Sequence, residues 1–373
     1  MTLNNPVRQG ILLAGAWLII VNLFAVLAFN RLNLSPDTAF EWMTPQAIRH
    51  VPQSWDIIEL HNRWDAYWYL DITQSGYYLR GEHDVSNVVY FPLYPLLMRM
   101  ITPVAGGNPV LAGWIISSVF LLLAVAEFIK LTREFHPEIE PVLPAVFLLV
   151  HPLAFFLNAV YSESLFLFLS LAMIRYTLRK KYLPAAIFGA FASATRVAGI
   201  FLIVPLVIEF IKENGWRGLF SRRVWPLFLA PSGAFFFFLY HWIAFGDFFL
   251  YLHVQESFGR NFSLNLKDFA TRNGPDMANT VIDLAYTLSA IGFGLLALKQ
   301  FRPSYGIYML FSLGVALSSG TVLGIGRYAM MLFPIYLIAA GIRSSVVKNA
   351  WLFASTLLLS MNIICFINHY WAD

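Results

Sequence analysis

The stretch GILLAGAWLIIVNLFAVLAF, Gly10 to Phe29, decides how the chain is to be read. Its 20 residues, at about 1.5 Å each, are enough to cross about 30 Å of hydrocarbon. A helix of that length satisfies its backbone amides within its own segment, without water. The run exceeds the 7–15 residues of a secretory h-region, and no small-x-small cleavage site follows, so it reads as an uncleaved anchor. The rest of the sequence agrees. Of 373 residues 58% are apolar and 12% charged, with mean hydropathy +0.64, against about 45–50% and 25% in soluble domains. Too few charges are present to keep a globule of this size dispersed in water. The net charge of +4 comes without a basic tract or aromatic-basic repeat, so nucleic acid is not expected as a partner. The one cysteine, Cys365, rules out an intramolecular disulfide.

Further apolar runs lie at Pro109 to Leu131, Val142 to Val160, Leu165 to Leu178, Leu183 to Thr195, Val197 to Ile211, Trp225 to Phe245, Thr280 to Leu298, Tyr305 to Gly320, Tyr328 to Ile342 and Ala350 to Ile367. The expectation is therefore an all-α polytopic membrane protein of about 11 spans, one membrane-embedded domain over residues 1–373. The two short runs flanking Arg196 read as broken or partly embedded helices. A cytoplasmic N-terminus places 15 of the 25 Lys and Arg inside, with 6 of the 21 Asp and Glu, as the positive-inside rule favours. Two long segments then fall outside, residues 30–108 and 246–279. The first is rich in aromatics (Trp42, Trp55, Trp64, Trp68). It reads as short amphipathic helices on the membrane surface, with Pro92 and Pro95 interrupting the last one.

Chemistry concentrates in these outer segments. The first reads His61-Asn62-Arg63-Trp64-Asp65-Ala66-Tyr67-Trp68-Tyr69-Leu70-Asp71. Among so many aromatics each charge is costly unless paired, and a carboxylate held there can act as a base. The competing reading puts Asp65 in the first turn of a helix capped by Asn62. Glu163, in Tyr161-Ser162-Glu163-Ser164 between two runs, reads locally as a solvated loop acid. Arg196 is either the tip of a helical hairpin or an arginine inside the membrane, at about 2.5–3.5 kcal/mol, a cost that asks for an anionic partner. Arg327-Tyr328 shares that character, with snorkelling to head groups as the alternative. The scattered histidines show no metal-ligand spacing, and neither a Walker loop nor a G-x-G-x-x-G turn is present.

These pieces in order resemble the PIG-V family of GPI mannosyltransferases and their bacterial relatives, within the GT-C class of integral-membrane glycosyltransferases. The resemblance rests on Arg63-Trp64-Asp65 with Gly76-Tyr77, on Phe91-Pro92-Leu93-Tyr94-Pro95, and on His151-Pro152 leading to Tyr161-Ser162-Glu163-Ser164. Ser193-Ala194-Thr195-Arg196 with Gly199, and Arg327-Tyr328 with Pro334 and Tyr336, complete it. Val197-Ala198 stands where the eukaryotic members often carry Ser-Asn. The resemblance implies a GT-C-like bundle in the plasma (inner) membrane with an extracytoplasmic active site. It also implies inverting transfer of a hexose, mannose by preference, from a polyprenyl-phosphate donor to a lipid or glycan acceptor, with no cofactor, nucleotide or obligatory metal. Asp65 is expected as the base, with Asp71 and Glu163 orienting groups. Arg196, Arg327 and more weakly Arg63 are expected to hold the donor phosphate, with His61, Trp64, Tyr161 and Tyr328 completing the substrate contacts. A transporter or lipid flippase is the rival class. It calls for charges near the middle of several spans and for inverted repeats, whereas here they gather at outer helix ends and in loops.

Overall fold

A computed structural model describes residues 5–32, 56–80, 85–258, 260, 277–322 and 324–372. Trp42, Trp55 and residues 261–276 of the second outer segment lie outside the described residues. Among the described residues every regular element is a helix, and the protein is an integral membrane protein. Four of the described helices are long and apolar enough to cross a bilayer, or five if one bent pair forms a single span. Several of the expected runs are instead divided into shorter pieces. The chain forms two compact units.

The first unit holds the chain up to Tyr77, Pro92–Phe168 and Ala339–Ala372. Three of its helices are long: α1 (Pro6–Leu32), α4 (Pro109–Phe135) and α16 (Ser345–Ile367). Between the first two lie the short α2 (Ala66–Ser75) and α3 (Leu93–Ile101). The start of α4 is set by Pro109 in its first turn and by the Asn108 side chain, which accepts from Leu111 N–H at 3.0 Å. α1 buries Gly10, Ala14, Trp17 and Val21 and exposes Ile19, Ile20, Leu23 and Leu27. An apolar outward face of this kind belongs against lipid tails. Gly10 lets α1 approach α4 closely: a Cβ there would lie 2.4 Å from Ala126 Cα. Pro92 and Pro95 do not interrupt α3. Pro92 is its N-cap and Pro95 lies in its first turn, where the missing N–H had no intrahelical partner to lose. The run Val142 to Val160 is not one span either: α5 (Leu143–Leu149) ends at Val150, and a 3-10 turn, Ala154–Leu157, follows Pro152.

α6 (Glu163–Leu178) begins in the first unit and continues in the second. The second takes Tyr78–Phe91 and Leu169–Ile338. Its helices are α7 (Tyr182–Ser193), α8 (Ile203–Asn214), α9 (Trp225–Leu229), α10 (Ser232–Phe245), α11 (Leu250–Gln255), α12 (Met277–Gln300), α13 (Pro303–Leu317) and α14 (Ile325–Met330). Of the two runs flanking Arg196, Leu183 to Thr195 forms the single helix α7, whereas Val197 to Ile211 is broken into a 3-10 stretch, Val197–Leu202, and α8. α9 and α10 meet at a 57° bend, where Pro231 cannot donate to the preceding turn. The run Tyr328 to Ile342 divides between α14 and α15 (Pro334–Ala340) in the same way. Small residues let these pieces pack. A Cβ on Gly199 would sit 2.3 Å from the Ala192 carbonyl carbon, and one on Gly233 2.1 Å from the Ala190 oxygen.

Candidate active site

In the first unit one hydroxyl organises the acidic turn. Tyr161, 1% exposed, donates its O–H to the Arg63 carbonyl at 3.0 Å and accepts the Asp65 N–H at 3.0 Å. The residue between them, Trp64, sits at φ 52, a left-handed conformation that side-chain-bearing residues seldom adopt. The Tyr161 bridge therefore holds a strained turn whose next residue is Asp65, the N-cap of α2. Asn62 does not cap that helix. It closes the 3-10 turn Glu59–His61, and its amide donates to Glu59 Oε2 at 3.3 Å. Asp65 and Asp71, nearly two turns further along α2, are both partly buried. Ser117 Oγ donates to the Tyr161 carbonyl at 3.0 Å and pairs with Tyr94 Oη at 2.8 Å, which ties the turn to α4.

Arg63 is 1% exposed; its Nη1 and Nε donate to backbone carbonyls, whereas its Nη2 is buried with no hydrogen-bond partner. Nη1 donates to the carbonyls of Glu59 at 2.6 Å and Asn62 at 2.8 Å, and Nε to that of Ile367 at 3.1 Å. Ile367 ends α16, so the cation meets the negative end of a helix dipole. Burial brings its pKa down to about 10, against the opposing charges of Glu59 and Asp56. His61 stacks on Trp114 at 4.7 Å, and burial together with the Arg63 charge pushes it down to about 3. It is a neutral imidazole at physiological pH. Trp64 also meets the chain's end, edge-on to Trp371 at 5.5 Å and His369 at 6.3 Å.

Glu163 is fully buried at the start of α6, not a solvated loop acid. The preceding residue, Ser162, pairs its Oγ with Tyr69 Oη at 2.9 Å. Glu163 lies near enough to Tyr94 for its charge to act on that phenol.

The second unit gathers cations. Arg196 stands in extended conformation at the break between α7 and the 3-10 stretch, with its guanidinium 5.7 Å from the centre of the Tyr328 ring. The charges of Arg260, Arg196 and Arg327 all act on the Tyr328 hydroxyl, and Arg260 hydrogen-bonds it. The three arginines and Tyr328 are partly exposed. Arg260 N–H donates at 3.0 Å to the carbonyl of Gln255, the last residue of α11. Beside it Tyr251 is pushed up by burial and by the neighbouring Tyr328, and hydrogen-bonds Gln255. Sequence reasoning missed Arg260, which lies in the long outer segment after an aromatic, amphipathic stretch and has no motif of its own. Among the described residues, no three His, Cys, Asp or Glu side chains gather around a common point.

Among the described residues the fold is all-helical, with several of its apolar runs broken into shorter helices. It is shared with the crystal structure of ArnT from Cupriavidus metallidurans bound to undecaprenyl phosphate. The TM-score is 0.51 at 13% identity, over 93% of this chain and 62% of that one. The mannosyltransferase (PIG-V) family matches residues 16–221, more than half of the sequence, and the chain belongs to that family. No curated protein matches it.

Proposed function

We propose that the protein transfers a hexose, mannose in our reading, from a polyprenyl-phosphate donor to a hydroxyl of a lipid or glycan acceptor. In this reaction the Asp65 carboxylate takes the acceptor proton as the hydroxyl oxygen attacks the anomeric carbon. The bond from that carbon to the phosphate oxygen breaks, and the lipid phosphate leaves with the electron pair. Attack opposite the leaving group inverts the anomeric centre. Positioned general-base catalysis contributes about 10²–10⁴-fold. Fixed guanidinium groups stabilise the charge that develops on the phosphate.

The observation that carries the reading is the gathering of Arg196, Arg260 and Arg327 on the Tyr328 hydroxyl. Three like charges held together repel one another, and a bound anion relieves that repulsion. Family membership and the undecaprenyl phosphate bound to the structural relative support a lipid phosphate as that anion. Tyr161 supplies the fixed turn that a base needs. Asp71 and Glu163 act as orienting groups, Arg63 as an anchor of the turn. The N-terminus faces the cytoplasm in this reading, with the chemistry on the outer side.

The test is direct. Purified protein in nanodiscs, given polyprenyl-phosphate mannose and extracted membrane lipids, forms a product heavier by one hexose. Polyprenyl-phosphate glucose serves as the comparison donor. Absence of product with both donors overturns the reading.

A further inference from the structure

Residues 366–372 carry no sequence motif, and they close on the turn that presents Asp65. α16 ends at Ile367, where two backbone bonds stop the helix. His369 N–H donates to the Phe366 carbonyl at 3.1 Å, and Tyr370 N–H to the Cys365 carbonyl at 2.9 Å. Helices that end on this pair of bonds place a left-handed residue there, usually glycine. Here it is His369, at φ 62. Glycine would make the same turn without strain, so what the histidine adds is its imidazole.

That imidazole and its neighbours touch the acidic turn on several sides. The Ile367 carbonyl accepts from Arg63 Nε at 3.1 Å. The Phe366 ring packs on Tyr161, whose hydroxyl bridges Arg63 and Asp65, at 6.2 Å between ring centres. The His369 and Trp371 rings meet that of Trp64 edge-on, at 6.3 and 5.5 Å, an arrangement in which a positive ring edge faces a negative ring face. Of the three non-glycine residues at positive φ among the described ones, two, Trp64 and His369, meet each other here. Strain of this kind persists only where the surrounding contacts over-determine it. The Tyr161 hydroxyl ties the backbone before and after Trp64, while His369 and Trp371 pack on its ring.

We infer that His369 and Trp371 are positioning residues of the Asp65 turn. By walling the Trp64 ring they hold the left-handed backbone of that residue, and through it the direction in which the chain runs on to the Asp65 carboxylate. Their effect on the reaction rests on Asp65 being the base proposed above.

The test is kinetic, on the full-length protein in nanodiscs with polyprenyl-phosphate mannose as donor. Trp371→Ala and His369→Gly are expected to lower kcat about tenfold and leave the donor KM at the wild-type value. Trp371→Phe, which keeps an aromatic edge, is expected to restore most of the rate. Loss of folded protein would also lower kcat, so both substitutions are repeated on Asp65→Asn. With the carboxylate gone there is no base to misplace, and the residual rate, read with radiolabelled donor, is expected to be equal with and without them. A second tenfold fall on that background, or a wild-type kcat in both single variants, overturns the assignment. Fluorine NMR of protein labelled with 5-fluorotryptophan gives a readout independent of turnover, the Trp64 resonance being assigned by its loss in Trp64→Phe. That resonance is expected to move in His369→Gly and in Trp371→Ala, and an unmoved resonance in both overturns the assignment. A moved resonance, where the wild type forms no hexosylated product, upholds the hold on the turn and overturns the transfer reading alone.

Discussion

Replacing Tyr161 by phenylalanine removes one oxygen and tests the acidic turn most sharply. The ring stays, so packing against Phe156 and Phe366 is kept. Two hydrogen bonds of 3.0 Å are lost. The Arg63 carbonyl still accepts the Ala66 N–H at 3.1 Å, but the Asp65 N–H loses the Tyr161 oxygen. Leaving such a donor without a partner costs about 1–3 kcal/mol. The left-handed conformation of Trp64 costs of the same order, about 1–3 kcal/mol, and is held against that cost by the bridge. Once the bridge is gone the balance favours relaxation, and the Asp65 carboxylate moves with the backbone. A displacement of about 1 Å at a reacting group can cost about 10²-fold. We expect kcat to fall about 10- to 100-fold while the donor KM stays at the wild-type value, because the arginines are untouched. The fluorescence of Trp64 should shift in the same variant, a readout that simple loss of protein would not give. The assay is initial-rate hexose transfer in nanodiscs, beside Tyr69→Phe, which loses the 2.9 Å contact to Ser162. A wild-type rate in Tyr161→Phe, or an equal loss in both variants, would refute the reasoning.

Further consequences can be measured on the same preparation. Asp65→Asn should keep the protein folded and inserted while lowering transfer by at least about 10²-fold; an unchanged rate removes Asp65 from the mechanism. Arg196→Ala should chiefly weaken donor use, and normal donor saturation would count against a phosphate contact. Arg260→Gln, which removes a charge and the bond to Tyr328, should raise the donor KM about tenfold, since a charge-assisted bond is worth about 1.5–3 kcal/mol. Acidification should destabilise the first unit. His61 and His369 are held down to about 3 by burial and by the Arg63 charge. Between about pH 6.5 and 3 the unfolded chain therefore binds protons that the folded chain does not. Stability is complete above about pH 6.5 and falls below it, by up to about 1.4 kcal/mol per pH unit for each histidine. Thermal melts from pH 7.5 to 5 should show a falling midpoint in wild type and a shallower fall in His61→Gln; parallel curves would contradict this.

Composition placed the chain in a membrane, and apolar runs of about 20 residues made its spans helices, since the strands of a closed barrel need only about half that length. The breaks around Arg196 were legible too, since an arginine between two short apolar runs forbids one continuous span. Asp65, Arg196, Arg327 and Tyr328 stood out because charge is costly in an apolar context, and the order of motifs carried the family. The division of Val142 to Val160 and of Tyr328 to Ile342 was not legible, because apolar periodicity says nothing of bends and the prolines there could equally have capped neighbouring helices. Local reading also misjudged Glu163, whose burial depends on what packs over the start of α6, and could not show that Arg63 meets the Ile367 carbonyl from the other end of the sequence. The Tyr161 bridge and the closing of Arg260 on Tyr328 were decided by tertiary structure. Each joins residues far apart in the chain, and a hydrogen bond of about 3 Å is fixed by the packing of whole helices, which no local pattern encodes.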